Sequence, residues 1–257
     1  MIQTLLVLIK KDLMEQWRTK KIIILSIIFL FVAISSPIMA KIMPEVMKSI
    51  SVPGMTINLP ASTYSDSIDQ FVKNISQIAL LVIIFIVAGA VSDEKNKKTL
   101  EILLTKPISR PLFILSKFKA YFASIVVIFT ISSLVFYLYT VSIFGTFSLL
   151  NFTIMSANIL IYTLMIVAVT ILASTITKSS IAAGGIGFLS YILFSTIFSL
   201  IKPLQKFSPN MIFDNYKTVI NTGWTNDLFL PLIVILFVII ISVLLSVFLF
   251  KKQEIER

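Results

Sequence analysis

The longest uncharged stretch of this chain runs from residue 120 to residue 177 and contains no Asp, Glu, Lys or Arg. A water-soluble fold needs charged residues at short intervals to cover its surface, so such a stretch indicates a hydrocarbon environment. It is too long for one helix, and its polar, glycine-containing part at 145–151 divides it into two spans. Because 57% of the 257 residues are hydrophobic and only 13% are charged, we expect a polytopic membrane protein.

Apolar stretches of about 17–25 residues are long enough to cross the hydrocarbon core as helices. Six occur here, at 22–40, 74–92, 120–144, 152–177, 179–201 and 228–250. The sequence therefore predicts an all-α membrane protein with six transmembrane helices in a single domain, 1–257. A cleavable signal peptide is the competing interpretation of 22–40. That stretch is longer than a usual signal core and lacks a good small-residue cleavage site, so we expect a retained first span.

The distribution of basic residues predicts the orientation. If the N-terminus is cytoplasmic, sixteen of the 22 Lys and Arg residues lie in cytoplasmic segments and six lie outside. Basic residues collect on the cytoplasmic side of polytopic proteins. We therefore expect a multi-pass protein of the cell membrane with both termini in the cytoplasm. The net charge of +10 is explained by these loops, and no nucleic-acid partner is expected.

Residues 1–21 have the pattern of an amphipathic helix, with apolar residues on one face and charged residues largely on the other. Such a helix lies in the membrane interface and places tryptophan and basic side chains at headgroup depth. The residues expected to form this contact are Ile9, Leu13, Trp17 and Arg18.

Two segments on the predicted outer side differ in composition. Residues 41–73 are polar and contain three prolines, so we expect a loop with short helical pieces. Residues 202–227 mix aromatic and polar side chains, which favours short interfacial or re-entrant helices. An ordinary outer loop is the alternative for this second segment.

The chain contains no cysteine and no histidine. Disulfides, Cys/His metal sites and histidine acid–base catalysis are therefore excluded, and we predict neither catalytic residues nor a metal site. The glycine cluster in 182–187 lacks the Lys-Ser/Thr of a phosphate-binding loop, so it predicts close helix packing instead.

The cores of the predicted spans contain no ionisable residue, which argues against ion-coupled transporters and proton pumps. A pathway lined by uncharged polar residues remains open, although such residues more often join helices by hydrogen bonds. The candidates for lining a pathway are Ser132, Tyr137, Asn158, Tyr162, Tyr191 and Ser195.

A charged segment, residues 92–119, separates the second and third spans and carries seven basic residues. If it is helical, Glu94, Lys97, Lys98 and Glu101 share one face, and Glu94 pairs with one of the two lysines. Leucines on other faces are left for burial, and Pro107 ends the helix. A solvated loop would not need those leucines, so the pattern favours a docking surface for a cytoplasmic partner.

This segment resembles the region between the second and third spans of ABC type-2 transporter permeases. The matching residues are Glu94, Thr99, Leu100, Glu101, Leu103, Leu104, Pro107, Ser109, Arg110 and Lys117. Lys98 stands where the family commonly has glycine. The N-terminal LIKKDLMEQWRTKK also resembles the family's interfacial helix, and the six-span pattern extends the resemblance over nearly the whole chain.

The resemblance implies the permease subunit of an exporter whose substrate is apolar or amphipathic, such as a peptide, a lipid-like molecule or a drug. The chain itself is then not an enzyme. It pairs with two copies of a cytoplasmic ATP-binding-cassette ATPase, which bind ATP and Mg, and with a second permease, identical or paralogous. Segment 93–111 becomes the coupling helix, with its contacts at Asp93, Glu94, Lys97, Thr99, Leu100, Glu101, Leu104, Pro107 and Arg110.

Two other classes of function remain open from the residues alone. An ion-coupled transporter or a channel would act without any ATPase. A non-transporting membrane scaffold or immunity-type protein would use the charged segment only to recruit a partner.

Overall fold

A computed structural model describes residues 2–50, 61–96 and 109–253, and every regular element in these ranges is helical. The α-helices are α1 (Ile2–Arg18), α2 (Lys21–Ile50), α3 (Tyr64–Asn74), α4 (Leu80–Asn96), α5 (Arg110–Phe144), α6 (Leu149–Ile176), α7 (Ser180–Leu200), α8 (Met211–Asp214), α9 (Tyr216–Thr222) and α10 (Phe229–Lys252). A π-helical stretch, Ile75–Ala79, joins α3 to α4. Two 3-10 helices, Lys202–Phe207 and Asn226–Leu228, flank α8 and α9.

Six helical segments are long and apolar enough to cross a membrane, which confirms the six predicted spans. They are α2, the continuous α3–α4 segment, α5, α6, α7 and α10. Successive spans run in opposite directions, so one end of the bundle carries α1, Asn96, Arg110, Ile176 and Lys252. We refer to it as the basic end, and to the opposite end as the far end.

Two spans begin earlier than the sequence predicts. The second begins at Tyr64 rather than at residue 74, and the third at Arg110 rather than at residue 120. Hydropathy marks only the apolar part of a helix, whereas local capping sets its start. The Thr63 backbone N–H donates to the Asp66 carboxylate at 2.8 Å and starts α3, and Pro111 lies in the first turn of α5, where a missing N–H is tolerated.

The prediction of a loop with short helical pieces over 41–73 is wrong for most of the described part. Helix α2 continues to Ile50, through Pro37 and Pro44, and α3 occupies 64–74. Proline has no N–H to donate to the carbonyl four residues earlier. For Pro44 that carbonyl belongs to Ala40, and it accepts a hydrogen bond from Ser62 Oγ at 2.7 Å instead. Residues 51–60 lie outside the described residues.

The π-helical stretch in the second span is held from two sides. The Ser76 carbonyl within it accepts a hydrogen bond from the Tyr191 hydroxyl of α7 at 2.9 Å. Just before it, Asn74 Nδ2 donates to Ser36 Oγ of α2 at 3.0 Å. Because π-helical turns disturb the regular pairing of backbone groups, these side-chain contacts stabilise an otherwise unfavourable stretch.

Stacked aromatic rings fill the core between α3, α5 and α6. Phe71 and Phe136 stack with ring centroids 4.0 Å apart, and Phe136 also stacks on Phe152 at 5.7 Å. All three side chains are buried. Beside them, the Ser67 and Thr140 hydroxyls lie 3.1 Å apart and satisfy each other in the absence of water.

The prediction of short helices over 202–227 is confirmed, since α8, α9 and the two 3-10 helices lie there. Side chains fasten them to the bundle at the far end. Tyr216 and Lys217 donate to the two carboxylate oxygens of Asp69 at 2.7 and 2.6 Å. Asn151 Nδ2 donates to the Ile220 carbonyl at 3.0 Å, so α9 is joined to α3 and to α6.

The small residues at the start of α7 allow the close packing that the sequence predicts, but not all of them do so. A methyl group on Gly187 would lie 2.9 Å from Thr170 Oγ1 and 3.1 Å from Ile84 Cγ2. On Gly185 it would meet nothing within 4 Å. Only one of these two glycines is therefore required for helix contact.

The two glycines provide a matched test of this packing. We expect Gly187→Ala to lower the thermal stability of the purified protein, because overpacking costs about 1–3 kcal/mol. Gly185→Ala should leave stability unchanged or raise it, since alanine favours a helix by about 1 kcal/mol over glycine. Melting temperatures of both variants in detergent measure the difference, and equal melting temperatures would contradict the packing at Gly187.

Candidate functional site

Five charged residues from three helices meet at the basic end and form what we term the charged junction: Lys11, Asp12 and Glu15 of α1, Glu94 of α4 and Lys117 of α5. At its centre is the Lys117 side chain, which is only 2% exposed. Its ammonium lies 2.9 Å from Asp12 Oδ1 and 3.2 Å from Glu15 Oε2, and it also donates to Glu94 Oε1. The contact with Asp12 is a close ion pair rather than an aligned hydrogen bond.

Lys11 supplies the second positive charge of the junction. Its ammonium donates to Glu94 Oε1 at 2.9 Å and lies 3.1 Å from Asp12 Oδ1. Both ammonium groups also lie over the Phe113 ring, at 5.7 Å for Lys11 and 5.6 Å for Lys117. An aromatic face attracts cations, so Phe113 stabilises both the buried Lys117 and the partly exposed Lys11.

The burial of this junction requires that its charges stay together. Removing charges from water costs several kcal/mol each, and only close partners offset that cost. The carboxylate oxygens of Asp12, Glu15 and Glu94 lie within 4.8 Å of one another, a spacing that would also suit a metal ion. The Lys117 ammonium contacts all three carboxylates, so it fills the position among them that a metal ion would take.

Two serine hydroxyls of α5 also attach it to α1. Ser116 Oγ donates to Asp12 Oδ2 at 2.7 Å, and Ser124 Oγ donates to Gln16 Oε1 at 2.8 Å. Asp12 and Gln16 are both buried, and with Leu8 they form the face of α1 that packs against the bundle. Helix α1 is therefore fixed by polar contacts on one face.

A weaker ion pair lies next to the junction. Lys21, at the start of α2, lies 3.5 Å from Asp93 Oδ2 and 3.5 Å from the Tyr121 hydroxyl. Asp93 immediately precedes Glu94, so both acidic residues at the end of α4 are attached to other helices. The four helices α1, α2, α4 and α5 thereby meet at one point.

The other side of the basic end is held through helix C-termini, whose last carbonyl groups lack intrahelical partners. Arg110 Nη1 donates to the carbonyls of Lys251 at 3.0 Å and of Gln253 at 2.8 Å, which joins the start of α5 to the end of α10. Lys95 of α4 donates to the Thr175 carbonyl, and Gln253 Nε2 reaches the same carbonyl at 2.8 Å. Positive groups at these ends also complement the helix dipoles.

The two helices that flank residues 97–108 are thus both anchored. On the α4 side, Ser174 Oγ also accepts from the backbone N–H groups of Val91 and Ser92, each at 3.0 Å. On the α5 side, Arg110 and Lys117 bind α10 and α1 respectively. The ends of α4 and α5 are therefore joined to each other and to α1, α6 and α10.

Of the residues predicted to contact an ATPase, Asp93, Glu94 and Arg110 are described, and all three bind other helices of this chain. The partners found for Glu94 are Lys11 and Lys117. The lysines that the sequence suggested for Glu94, at 97 and 98, lie outside the described residues. The same holds for the remaining predicted contacts, Lys97, Thr99, Leu100, Glu101, Leu104 and Pro107.

The predicted interfacial residues lie on the outward side of α1. Trp17 is 62% exposed, Arg18 is exposed, and Ile9 and Leu13 are partly exposed. The buried face was missed by sequence reasoning, which treated Asp12 simply as part of a charged face. The signal was present in the chain, because Leu8, Asp12 and Gln16 follow one another at the i, i+4 spacing of a single helical face.

The six residues predicted to line a pathway are not brought together. Ser132, Asn158 and Tyr162 are buried inside the bundle, where Ser132 Oγ, Asn158 Nδ2 and Tyr162 OH have no hydrogen-bond partner among the described residues. Tyr137 lines a cleft of about 500 Å³ between α5 and α6 and donates to the Phe147 carbonyl. Tyr191 and Ser195 are partly exposed on α7. A pathway role for these residues stays a prediction.

Comparison with known proteins identifies relatives of the chain. A family model described as "ABC-2 family transporter protein" matches residues 6–255. An uncharacterized transmembrane protein of Bacillus subtilis (strain 168), YxlG, is 25% identical over 118 residues. That match covers 45% of this chain and 46% of the relative, so it spans about half the length of each protein.

Replacing Lys117 tests the charged junction. We expect Lys117→Met to lower the free energy of unfolding by about 3–5 kcal/mol, because it leaves buried carboxylates without their main partner. Adding Glu94→Gln should recover part of the loss, since one unpaired carboxylate is then neutral. Thermal unfolding in detergent measures both effects. Lys119→Met, at an exposed position two residues away, is the control, and an equal loss there would rule out a special role for Lys117.

Proposed function

Because the chain belongs to the ABC-2 family of transporter proteins, we propose that it is the membrane-spanning permease subunit of an ATP-driven exporter. Members of this family generally work with a separate ATP-binding-cassette subunit. On this proposal the chain forms the translocation pathway, and ATP and Mg bind to the partner ATPase. The observation that supports it most is the anchoring of both helices that flank residues 97–108.

Segment 97–108 is the proposed docking site for the cassette subunit. Its sequence offers charged residues and leucines for a protein contact, with Glu101 and Leu104 among them, and also contains Pro107. The described residues before and after it are joined to each other through Glu94 and Lys117. The two helix ends that carry the segment are therefore fixed to each other.

Movement of segment 97–108 is the proposed coupling step. When two cassettes close on ATP, they displace the docked segments. The charged junction passes that displacement to α1, and the contact of Arg110 with the end of α10 passes it to the last span. The spans then tilt and open the pathway toward the outside. Two permease copies, identical or paralogous, would enclose this pathway.

The proposed substrate is apolar or amphipathic: a peptide, a lipid-like molecule or a drug. Support for this class comes from the spans, which between residues 120 and 177 carry no charge to bind an ion. On this proposal, the hydroxyl oxygens of Tyr191 and Ser195, partly exposed on α7, accept hydrogen bonds from an amphipathic molecule, since their protons are donated to the Ser76 and Ile192 carbonyls.

Docking is tested by cross-linking, which the absence of native cysteines makes clean. With a benzophenone maleimide attached to Leu104→Cys, we expect photo-crosslinking to a co-expressed cassette ATPase from the same genome. The same probe at Asn226→Cys, exposed at the far end, is the control and should give no such product. Gel mobility and mass spectrometry detect the product.

A docking variant completes this test. Glu101→Lys should reduce both the cross-link and the recovery of the ATPase with the purified permease, while leaving the fold intact. Arg110 is unsuitable for this purpose because it also holds α10. If Leu104→Cys gives no cross-link, or if the two positions react equally, segment 97–108 is not the docking site.

Labelling in intact cells tests the proposed orientation, with both termini in the cytoplasm. The basic end should face the cytoplasm, because sixteen of the 22 basic residues would then lie on that side. A membrane-impermeant maleimide should label Asn226→Cys at the far end but label Ser179→Cys at the basic end only after permeabilisation. The reverse pattern would exclude docking of a cytoplasmic ATPase at segment 97–108.

A further inference from the structure

The outward face of α1 forms a groove at the basic end that the charged junction does not use. Its volume is about 490 Å³, and its walls are Lys10, Leu13, Met14, Trp17, Arg18 and Ile22. Its floor is apolar, and Lys10 and Arg18 lie at the two ends of the stretch of α1 that forms it. The first turns of α2, which begin beside it, expose Ile23, Ile24 and Ile27, so an apolar surface continues from the groove.

The charges on α1 are divided between its two faces. Asp12 and Glu15 are turned into the junction and are paired there with Lys117. Lys10 and Arg18 line the groove, both are exposed, and neither forms an ion pair within the described part of the chain. The groove walls therefore carry two cations and no acidic residue, because Asp12 and Glu15 are paired with Lys117 in the junction.

We propose that this groove binds a single anionic phospholipid of the adjoining leaflet. Its phosphate contacts Lys10 and Arg18, and its acyl chain packs against Leu13, Met14 and Ile22 before continuing along α2. Arginine and lysine are the usual partners of phosphate, and tryptophan takes up the boundary between headgroups and acyl chains. Trp17, 62% exposed beside both cations, matches that boundary.

Charge and shape favour a lipid over a protein segment. A protein helix packed on α1 would have to bury or pair two free cations at the edge of an apolar floor. A phospholipid brings one negative charge directly attached to an apolar chain, which matches cations placed beside an apolar floor. Neighbouring side chains on α2 that face outward are aliphatic, as expected for a surface that contacts acyl chains.

Trp17 itself reports on occupancy of the groove. The chain has two tryptophans, Trp17 in the groove and Trp224 at the far end. A Trp224→Phe variant of the full chain, reconstituted into bilayers, leaves Trp17 as the only tryptophan, whose fluorescence is excited apart from that of the tyrosines. Bromine atoms on acyl chains quench tryptophan on contact. We would measure quenching at increasing mole fractions of dibrominated phosphatidylglycerol in bilayers of unlabelled phosphatidylcholine. A separate series would use dibrominated phosphatidylcholine in the same way.

A specific site predicts that the anionic lipid quenches Trp17 at a lower mole fraction than the zwitterionic lipid. The expected preference is roughly five- to thirtyfold, the range for one or two Lys/Arg contacts near an anionic surface. Lys10→Gln with Arg18→Gln should abolish the preference, while quenching by both lipids persists. Lys202→Gln with Lys206→Gln, two exposed lysines at the far end, should leave it unchanged.

Three outcomes would overturn the proposal. Equal quenching by the two lipids in the parent protein would mean that the groove is covered by ordinary bilayer lipid. Loss of the preference in the far-end control as well would mean that the net charge of the protein, and not the groove, attracts the anionic lipid. No quenching of Trp17 by either lipid would mean that a protein segment occupies the groove.

Discussion

A lysine ammonium that is almost fully buried controls the architecture of the basic end. Lys117 needs several carboxylates close by, because no water reaches it to offset the cost of its charge. Two of those carboxylates come from α1 and one from α4, so the lysine specifies which helices meet and in which register. Apolar packing alone would allow a helix such as α1 to slide along α5. The ion pairs remove that freedom, since a shift by one turn would leave opposite charges buried apart.

The two ends of the bundle differ in how strongly they are held. At the far end, the ion pair between Lys217 and Asp69 is partly exposed, and surface pairs contribute only about 0–1 kcal/mol. Hydrogen bonds from Tyr216 and Asn151 and the edge-to-face contact of Tyr162 with Phe213 contribute as well. The short helices α8 and α9 thus rest on contacts that are easily exchanged, whereas the basic end is held by buried charges. A conformational change in this protein would cost less at the far end.

The sequence predicted the number and type of spans because hydropathy reports directly on the environment that a helix must enter. It also predicted the amphipathic α1 and the short helices after α7. It did not predict the extra turns of α3 or the passage of α2 through Pro44. Those features depend on single contacts, such as Ser62 with the Ala40 carbonyl, between residues far apart in the chain. The charged junction was missed for the same reason, because Lys11 and Lys117, which contact Glu94 from α1 and α5, are far from it in the chain. The pairing of Glu94 with a lysine at 97 or 98 stays a prediction.

A tight turn connects α1 to α2. Only Thr19 and Lys20 separate the two helices, and Lys20 has a positive φ of 61°, a left-handed conformation that is unfavourable for a residue with a side chain. Hydrogen bonds from Thr19 to the Glu15 carbonyl and from Ile24 to the Lys20 carbonyl close the turn from both sides. Such a short turn leaves little freedom between the two helices. Helix α1, which lies against the bundle, and α2, which crosses the membrane, therefore move as one bent unit, so a tilt of α1 rotates α2.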